Sequence, residues 1–269
     1  MNRTWFIFFG GVLNSGHPTE YRIILAGGMG TRLFPLTKAT NKHLLPLGKE
    51  PMLYHPIRQM CGAGIQAILV VTSTQQMGDV VNCLGSDMEF GCSLTYKVQE
   101  QAAGIADALR LGEPFAGKDK ICVMLGDNVF ENSIAPYAAN FERQERGARV
   151  VVKEVGEPER YGVAAMDERQ ILDIEEKPKN PKSKFAVVGL YFYDDQVWDI
   201  IRANGRSARG EFEITSVNNV YIERKQLMFD VCQGRWSDAG TFESWMEASK
   251  LMFEKNNEIK LWKRSKTAQ

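Results

Sequence analysis

A strand-like run, Tyr21-Arg-Ile-Ile-Leu-Ala26, leads directly into Gly27-Gly28-Met29-Gly30-Thr31-Arg32. Without a Cβ, the glycines let several backbone N–H groups face one space at the carboxyl end of a strand. Phosphate oxygens are the acceptors such a cradle suits. Arg32 adds a permanently charged guanidinium fork that matches a polyphosphate. Lys42 follows on the long loop Phe34–Glu50, and long loops in compact domains are often functional. Two other phosphate loops are excluded: the Walker pattern is absent, and the dinucleotide fingerprint needs a third glycine where Leu33 stands. Taken alone, the run is also readable as a tight turn carrying a solvated arginine.

Two carboxylates could serve the same phosphates. Asp127 closes the apolar run Val123-Met-Leu-Gly-Asp-Asn128, and Asp238 lies in Trp236-Ser-Asp-Ala-Gly240 before a helix. With phosphate oxygens and water they would make a hard-oxygen shell for Mg²⁺. Separately, Asp127 reads as a strand-end turn former and Asp238 as a helix N-cap. Glu176-Lys177 is by default a solvated strand-end charge pair, but Pro178 and the upstream Tyr161-Gly162 favour a pocket. His55 sits inside a helix with no metal-ligand partner at suitable spacing.

The elements that must position these groups follow a regular rhythm. Strand candidates at Tyr21–Ala26, Ala67–Thr72, Leu94–Val98, Lys120–Leu125 and Arg149–Glu154 alternate with amphipathic stretches, the pattern of a mostly parallel central sheet flanked by helices. The segment Pro51–Gly64 illustrates the helices, with Leu53, Ile57, Met60 and Cys61 on one face. After Pro158 the strands shorten, at Tyr161–Met166, Gln170–Glu175 and Ala186–Tyr193, and look antiparallel before helices resume near Ile214 and Phe242. The expected organisation is an extension over residues 1–19 and one domain over 20–256. That domain divides into a nucleotide-binding lobe (20–157) and a smaller antiparallel lobe (158–240) for its co-substrate, and a charged tail spans 257–269.

Composition narrows the class. Of 269 residues, 44% are hydrophobic, enough for a sizeable core, and 33 basic residues balance 33 acidic ones, so nothing recruits nucleic acid or an anionic membrane. Five cysteines with no C-x-x-C pair disfavour zinc and fit a reducing cytoplasm. The apolar run Trp5–Leu13 is too short to span a bilayer and lacks a convincing cleavage site.

Leu25–Arg32 followed by Asn41-Lys-His-Leu-Leu-Pro46 resembles the signature of the sugar-phosphate nucleotidylyltransferases, above all the glucose-1-phosphate thymidylyltransferases. The likeness continues through most of Tyr21–Phe253 in seven ordered blocks: Tyr96–Gln99, Leu125–Asn128, Glu159–Val163, Glu175–Pro178, Gly189–Tyr193, Ala208–Thr215 and Trp236–Gly240. It implies a Rossmann-like nucleotidyltransferase fold, Mg²⁺ as cofactor, and attack by a sugar-phosphate oxygen on the α-phosphorus of a nucleoside triphosphate. No protein nucleophile is needed, because catalysis consists of bringing two polyanions into line and neutralising their charge.

By this resemblance Leu25, Gly27, Gly28, Gly30, Thr31, Arg32, Lys42 and Asp127 hold the nucleotide, and Gln99 with the Gly104 backbone reads the base. Gly162, Glu176, Lys177 and Val187 take the sugar phosphate, Asp127 and Asp238 are the metal-binding aspartates, and Arg32, Lys42, Asp127 and Lys177 carry catalysis. Some family members carry glutamine at the position of His43, which implies ligand contact or packing rather than proton transfer. Tyr191, an aromatic in an alternating strand, reads as core. The expected substrates are dTTP and glucose 1-phosphate. UTP competes, since uracil differs by one methyl group, worth about 1 kcal/mol. A non-catalytic nucleotide-sugar-binding regulator is the alternative of another class, and the presence of Arg32, Asp127, Lys177 and Asp238 speaks against it.

Two departures accompany the likeness. Where relatives tend to carry Pro-Asp-Gly-Leu-Ala-Gln after the equivalent of Gln99, this chain has Gln101-Ala-Ala-Gly-Ile-Ala-Asp107. It also stops soon after Phe253, so tetramer assembly and feedback control are not expected, while a homodimer is left open.

Overall fold

The computed structural model describes residues 21–63, 67–85 and 89–267; the extension over 1–19 and its apolar run lie outside the described residues. In chain order the strands are β1 (Tyr21–Ala26), β2 (Pro46–Leu47), β3 (Glu50–Pro51), β4 (Ala67–Ser73), β5 (Ser93–Gln99), β6 (Ile121–Leu125), β7 (Val129–Phe130), β8 (Ala148–Glu154), β9 (Gly162–Met166), β10 (Ile171–Glu176), β11 (Phe185–Tyr193), β12 (Leu227–Val231) and β13 (Trp236–Ser237). The helices are α1 (Leu36–Ala39), α2 (Tyr54–Cys61), α3 (Met77–Leu84), α4 (Ile105–Arg110), α5 (Glu113–Ala116), α6 (Ala135–Arg143), α7 (Gln196–Ala203), α8 (Ile214–Glu223) and α9 (Phe242–Thr267).

Nine strands form one sheet, with the order β10-β9-β11-β6-β1-β4-β5 and with β8 and β12 joined through β11. β6, β1, β4 and β5 are parallel neighbours. Both faces of β1 are buried: Ile23 and Leu25 pack with α4, α5, α7 and α8, whereas Ile24 and Ala26 pack with α2, α3 and α6. A strand covered on both sides must be apolar throughout, which is why β1, β4 and β6 read as continuous hydrophobic runs. The fold class is therefore the expected α/β arrangement.

Three details differ from the sequence reading. Arg149–Glu154 was expected among the parallel strands, but β11 intervenes and β8 runs antiparallel to it. β12, a short strand directly after α8, was not anticipated. It pairs parallel to β8, and its run Leu-Met-Phe-Asp-Val is too brief and mixed to show a period. The antiparallel strands are continuous with the central sheet, because β11 pairs with β6 over Leu190–Tyr193 and meets β9 at Ala186.

The loop Phe34–Glu50 is also built rather than irregular. It contains α1, a single 3-10 turn at Lys42–Leu44 and the β2–β3 hairpin. Leu33, Leu45, Leu47 and Met52 form a third apolar cluster with Ala248, Leu251 and Met252 of α9. That cluster also contains Val129 and Ala239, so it holds the Lys42 segment and the Asp238 turn against the same support. α9 continues to Thr267, through the segment expected to be a charged tail, because no proline or glycine interrupts it.

Candidate active site

β1 and β6 lie side by side, Leu25 opposite Leu125, and Gly126 N donates to Leu25 O at 2.9 Å. Chain order reverses here, since β4 follows on one side of β1 and β6 lies on the other, and open α/β sheets bind ligands at such a switch point. Gly27-Gly28 leaves one strand and Asp127-Asn128 the other. Gly30 has φ +62°, and a Cβ there would lie 2.9 Å from both Lys42 Cβ and Thr37 Cγ2. Only glycine lets the loop fold this closely over Lys42.

Lys42, largely buried, donates from Nζ to Asp127 Oδ2. Asn128 Nδ2 donates to Asp127 Oδ1 at 2.8 Å. Burial alone would raise the Asp127 carboxyl, but the Lys42 ammonium and these bonds outweigh it and hold the group below the ordinary aspartate range. Asn128 is itself a junction: its Oδ1 accepts from Gly189 N at 3.0 Å and from Trp236 Nε1 at 2.7 Å. The register of β11 against β8 shifts between Val187 and Tyr191, where Asn128 meets the bare Gly189 backbone.

His43 is buried, and its Nδ1 faces Asn41 Oδ1 at 3.1 Å. That oxygen already accepts from His43 N, so Nδ1 carries the proton. Burial, with Lys42 beside it, pushes His43 down to about 4, which keeps it neutral near pH 7 and excludes it as an imidazolium there. Because the folded value lies below the ordinary 6.5, the unfolded chain takes up the proton first. The contribution of neutral His43 is complete above about pH 6.5 and declines as pH falls towards 4; one pKa unit being 1.36 kcal/mol, about 2 kcal/mol is lost between pH 7.5 and 5. Denaturant titrations at several pH values should show this decline, and His43→Gln should flatten it. A wild-type profile already flat over that range would contradict the assignment.

Two cavities open on this framework. The first, about 250 Å³, is lined by Leu25, Gly27, Gly28, His43, Gln99, Gly104, Asp127 and Glu211 among others. The second, about 210 Å³, is lined by Arg32, Asp127, Asn128, Arg160, Gly162, Glu176, Lys177, Val187, Tyr191, Thr215, Trp236 and Asp238 among others. Ile105, Leu125 and Asp127 belong to both, so the carboxylate stands in their common wall.

In the first cavity, Gly104 has φ +108°, and a Cβ would come within 2.5 Å of Phe212 O. Two backbone bonds, Phe212 N to Ala103 O and Ala106 N to Phe212 O, fix that approach. In the second, Glu176 accepts from Thr215 Oγ1 at 2.6 Å and pairs with Arg209 at 3.5 Å and Lys177 at 3.6 Å. Lys177 has φ +46°, unfavourable for a side chain, and its N donates to Tyr161 O at 2.9 Å. Asp238 accepts from Gly240 N at 3.3 Å and from Arg160 Nη2 at 3.5 Å. A Cβ on Gly240 would lie 2.8 Å from Asp238 Oδ2 and 2.9 Å from Arg32 Nη2, so Arg32 reaches the Asp238 turn.

The structure thus gathers most of the residues singled out from sequence. Leu25, Gly27, Gly28, Gln99 and Gly104 line the first cavity; Gly162, Glu176, Lys177, Val187 and Asp238 line the second. Arg32, expected on the triphosphate, lines the second cavity rather than the first. Gly30, Thr31 and Lys42 line neither: Gly30 and Thr31 form the turn that carries Arg32, and Lys42 meets the site only through Asp127. Asp238 does not cap α9, where Thr241 Oγ1 accepts from Ser244 N instead. Tyr191 is buried and also walls the second cavity. Asn128, Arg160, Thr215 and Trp236 were given no role from sequence, although all stand inside the matching blocks, which was the available signal.

An α/β sheet with a glycine loop, a strand-end aspartate and adjoining cavities at the switch point defines a nucleotide-binding transferase architecture. A family model described as nucleotidyl transferase matches residues 21–255, and the chain belongs to that family. It is 42% identical to the glucose-1-phosphate thymidylyltransferase of Neisseria meningitidis serogroup A, the match covering 86% of this chain and 81% of that one. Against the enzyme of that name from Mycolicibacterium smegmatis it is 43% identical, covering 84% and 80%. A Bacillus anthracis structure described as a glucose-1-phosphate thymidylyltransferase in complex with a sucrose superposes with TM-score 0.83 at 50% identity, over 86% of this chain and 94% of that one. A UDP-glucose pyrophosphorylase complexed with UDP-glucose, at TM-score 0.77 and 24% identity over 88% of this chain and 99% of that one, shares the fold. Among the described residues, no helix is long and apolar enough to cross a membrane.

Proposed function

We propose that the protein transfers the thymidylyl group of dTTP to glucose 1-phosphate, giving dTDP-glucose and pyrophosphate. The observation that carries this reading is the pair of cavities sharing Asp127, one at the glycine loop and one at Lys177. The identity and coverage of the thymidylyltransferase relatives favour this base and sugar.

The sugar-phosphate oxygen forms a bond to the α-phosphorus as the bond to the pyrophosphate oxygen breaks. The nucleophile comes already charged, so the chain's task is to seat two polyanions together. Lys42 stands behind the common wall, paired to Asp127, and Lys177 and Arg32 face the second cavity, where they offset the charge of both phosphates. Glu176, oriented by the Thr215 hydroxyl that donates to it, offers acceptors to sugar hydroxyls.

The donor set suits Mg²⁺. Asp127 and Asp238 offer hard oxygens to the same cavity, and no cluster of three or more potential ligands occurs among the described residues. Two carboxylates completed by substrate oxygens and water is the usual Mg²⁺ arrangement. When bound, the ion would neutralise phosphate charge.

A panel of nucleoside triphosphates and sugar 1-phosphates, incubated with the protein and Mg²⁺ and scored for pyrophosphate release, tests the proposal. Release is expected to be fastest with dTTP and glucose 1-phosphate. Release from no pair would refute it.

A further inference from the structure

Gln99 closes β5 and is 8% exposed. Its Nε2 donates to Asp107 Oδ2 at 2.8 Å and to Gly104 O at 3.2 Å, which uses both amide hydrogens. The carbonyl oxygen is left towards the glycine loop, where a Cβ on Gly27 would lie 3.4 Å from it, and both residues line the first cavity.

Amide oxygen and nitrogen are nearly the same size, so shape alone does not fix which one faces a ligand; the hydrogen-bond partners do. Asp107 lies in the first turn of α4, and its other oxygen accepts from Arg110 Nη2 at 3.2 Å. A guanidinium only donates and a carboxylate only accepts. Arg110 and Gln99 therefore both donate into Asp107, one to each oxygen, which fixes the amide nitrogen of Gln99 on the carboxylate side. Reversing the amide would set its oxygen against the Asp107 carboxylate and Gly104 O.

We propose that Asp107 is a positioning residue for base selection: it fixes the Gln99 amide with its oxygen towards the ligand, so that the cavity takes a pyrimidine offering a ring N–H and rejects one offering a ring lone pair. This rests on the first cavity being the nucleotide site. Thymine and uracil present N3–H, whereas cytosine presents an N3 lone pair to the same point. A site built to bond a donor loses that bond and leaves its own acceptor unpaired when the donor is missing.

The test is the ratio of kcat/KM for dTTP to that for CTP with glucose 1-phosphate, in wild type and variants, with thermal midpoints recorded alongside. In Asp107→Asn the new side chain satisfies Arg110 with its oxygen and offers its amino group to Gln99, which favours the reversed amide. The dTTP-to-CTP ratio is expected to fall about tenfold or more, while Asp107→Glu, again acceptor-only, restores most of it. A purely structural role would lower activity with both nucleotides and leave the ratio unchanged. Should Asp107→Asn not fold, Asp107→Ala, which leaves Gln99 Nε2 with Gly104 O alone, is read in the same way. A selective wild type with an equally selective variant would overturn the role of Asp107. A wild type that forms no product from dTTP or UTP would overturn the nucleotide reading beneath it.

Discussion

Asp127→Asn is expected to lower kcat/KM by about 10²–10³-fold, the usual cost of removing one preorganised electrostatic group, while leaving the protein folded. Asp127 has a donor on each oxygen, Lys42 on Oδ2 and Asn128 on Oδ1. The asparagine amide has one oxygen for these two donors, so one contact becomes donor against donor. A partly buried hydrogen bond lost in this way costs about 1–3 kcal/mol, which a lowered thermal midpoint should register. The larger consequence is electrostatic: the negative charge in the common wall disappears, and with it the counter-charge of Lys42 and one ligand for the proposed Mg²⁺. Steady-state kinetics beside circular dichroism separate the two effects. Near-normal turnover would remove Asp127 from the site.

Lys177 gives the second large effect, and its backbone supplies the control. Its ammonium faces the cavity opposite the glycine loop, with Glu176 and Arg209 beside it. Lys177→Ala should raise KM for glucose 1-phosphate and cut kcat/KM by about 10²-fold, in keeping with one charge-assisted contact to phosphate, while KM for dTTP changes little. Because φ is +46°, alanine retains the strain that glycine would relieve. Lys177→Gly should therefore be the more stable variant and equally inactive. If glycine restored activity, the effect would lie in the turn and not in the charge.

The central sheet was legible because its strands are buried on both faces. Ile23 and Ile24 pack on opposite layers, which leaves an uninterrupted apolar run with a glycine loop at its end. β8 and β12 were harder to place, because their neighbours are set by the return of β11 and not by local pattern. The site divides in the same way. Asp127 and Lys177 did not announce their chemistry by type alone, since one reads as a turn former and the other as a solvated charge; the ordered blocks around them gave them their roles. Asn128 was given no role, since an asparagine at a strand end usually forms a turn, and its junction between Asp127, Gly189 and Trp236 exists only once the chain folds back across sequence separations of 61 and 108. Arg32 was assigned to the triphosphate from its sequence neighbours, and which cavity it enters was not legible there: the turn at Thr31–Leu33 carries it towards Asp238.

The central claim is that the two cavities joined at Asp127 hold the two substrates of one transfer. Phosphorus NMR of a mixture of the protein, Mg²⁺, dTTP and glucose 1-phosphate tests it most directly. The account predicts dTDP-glucose and pyrophosphate appearing in equal amounts as both substrates disappear, with no product when either is omitted. Inorganic phosphate or pyrophosphate released from dTTP without the sugar nucleotide, or an unchanged spectrum, would contradict it.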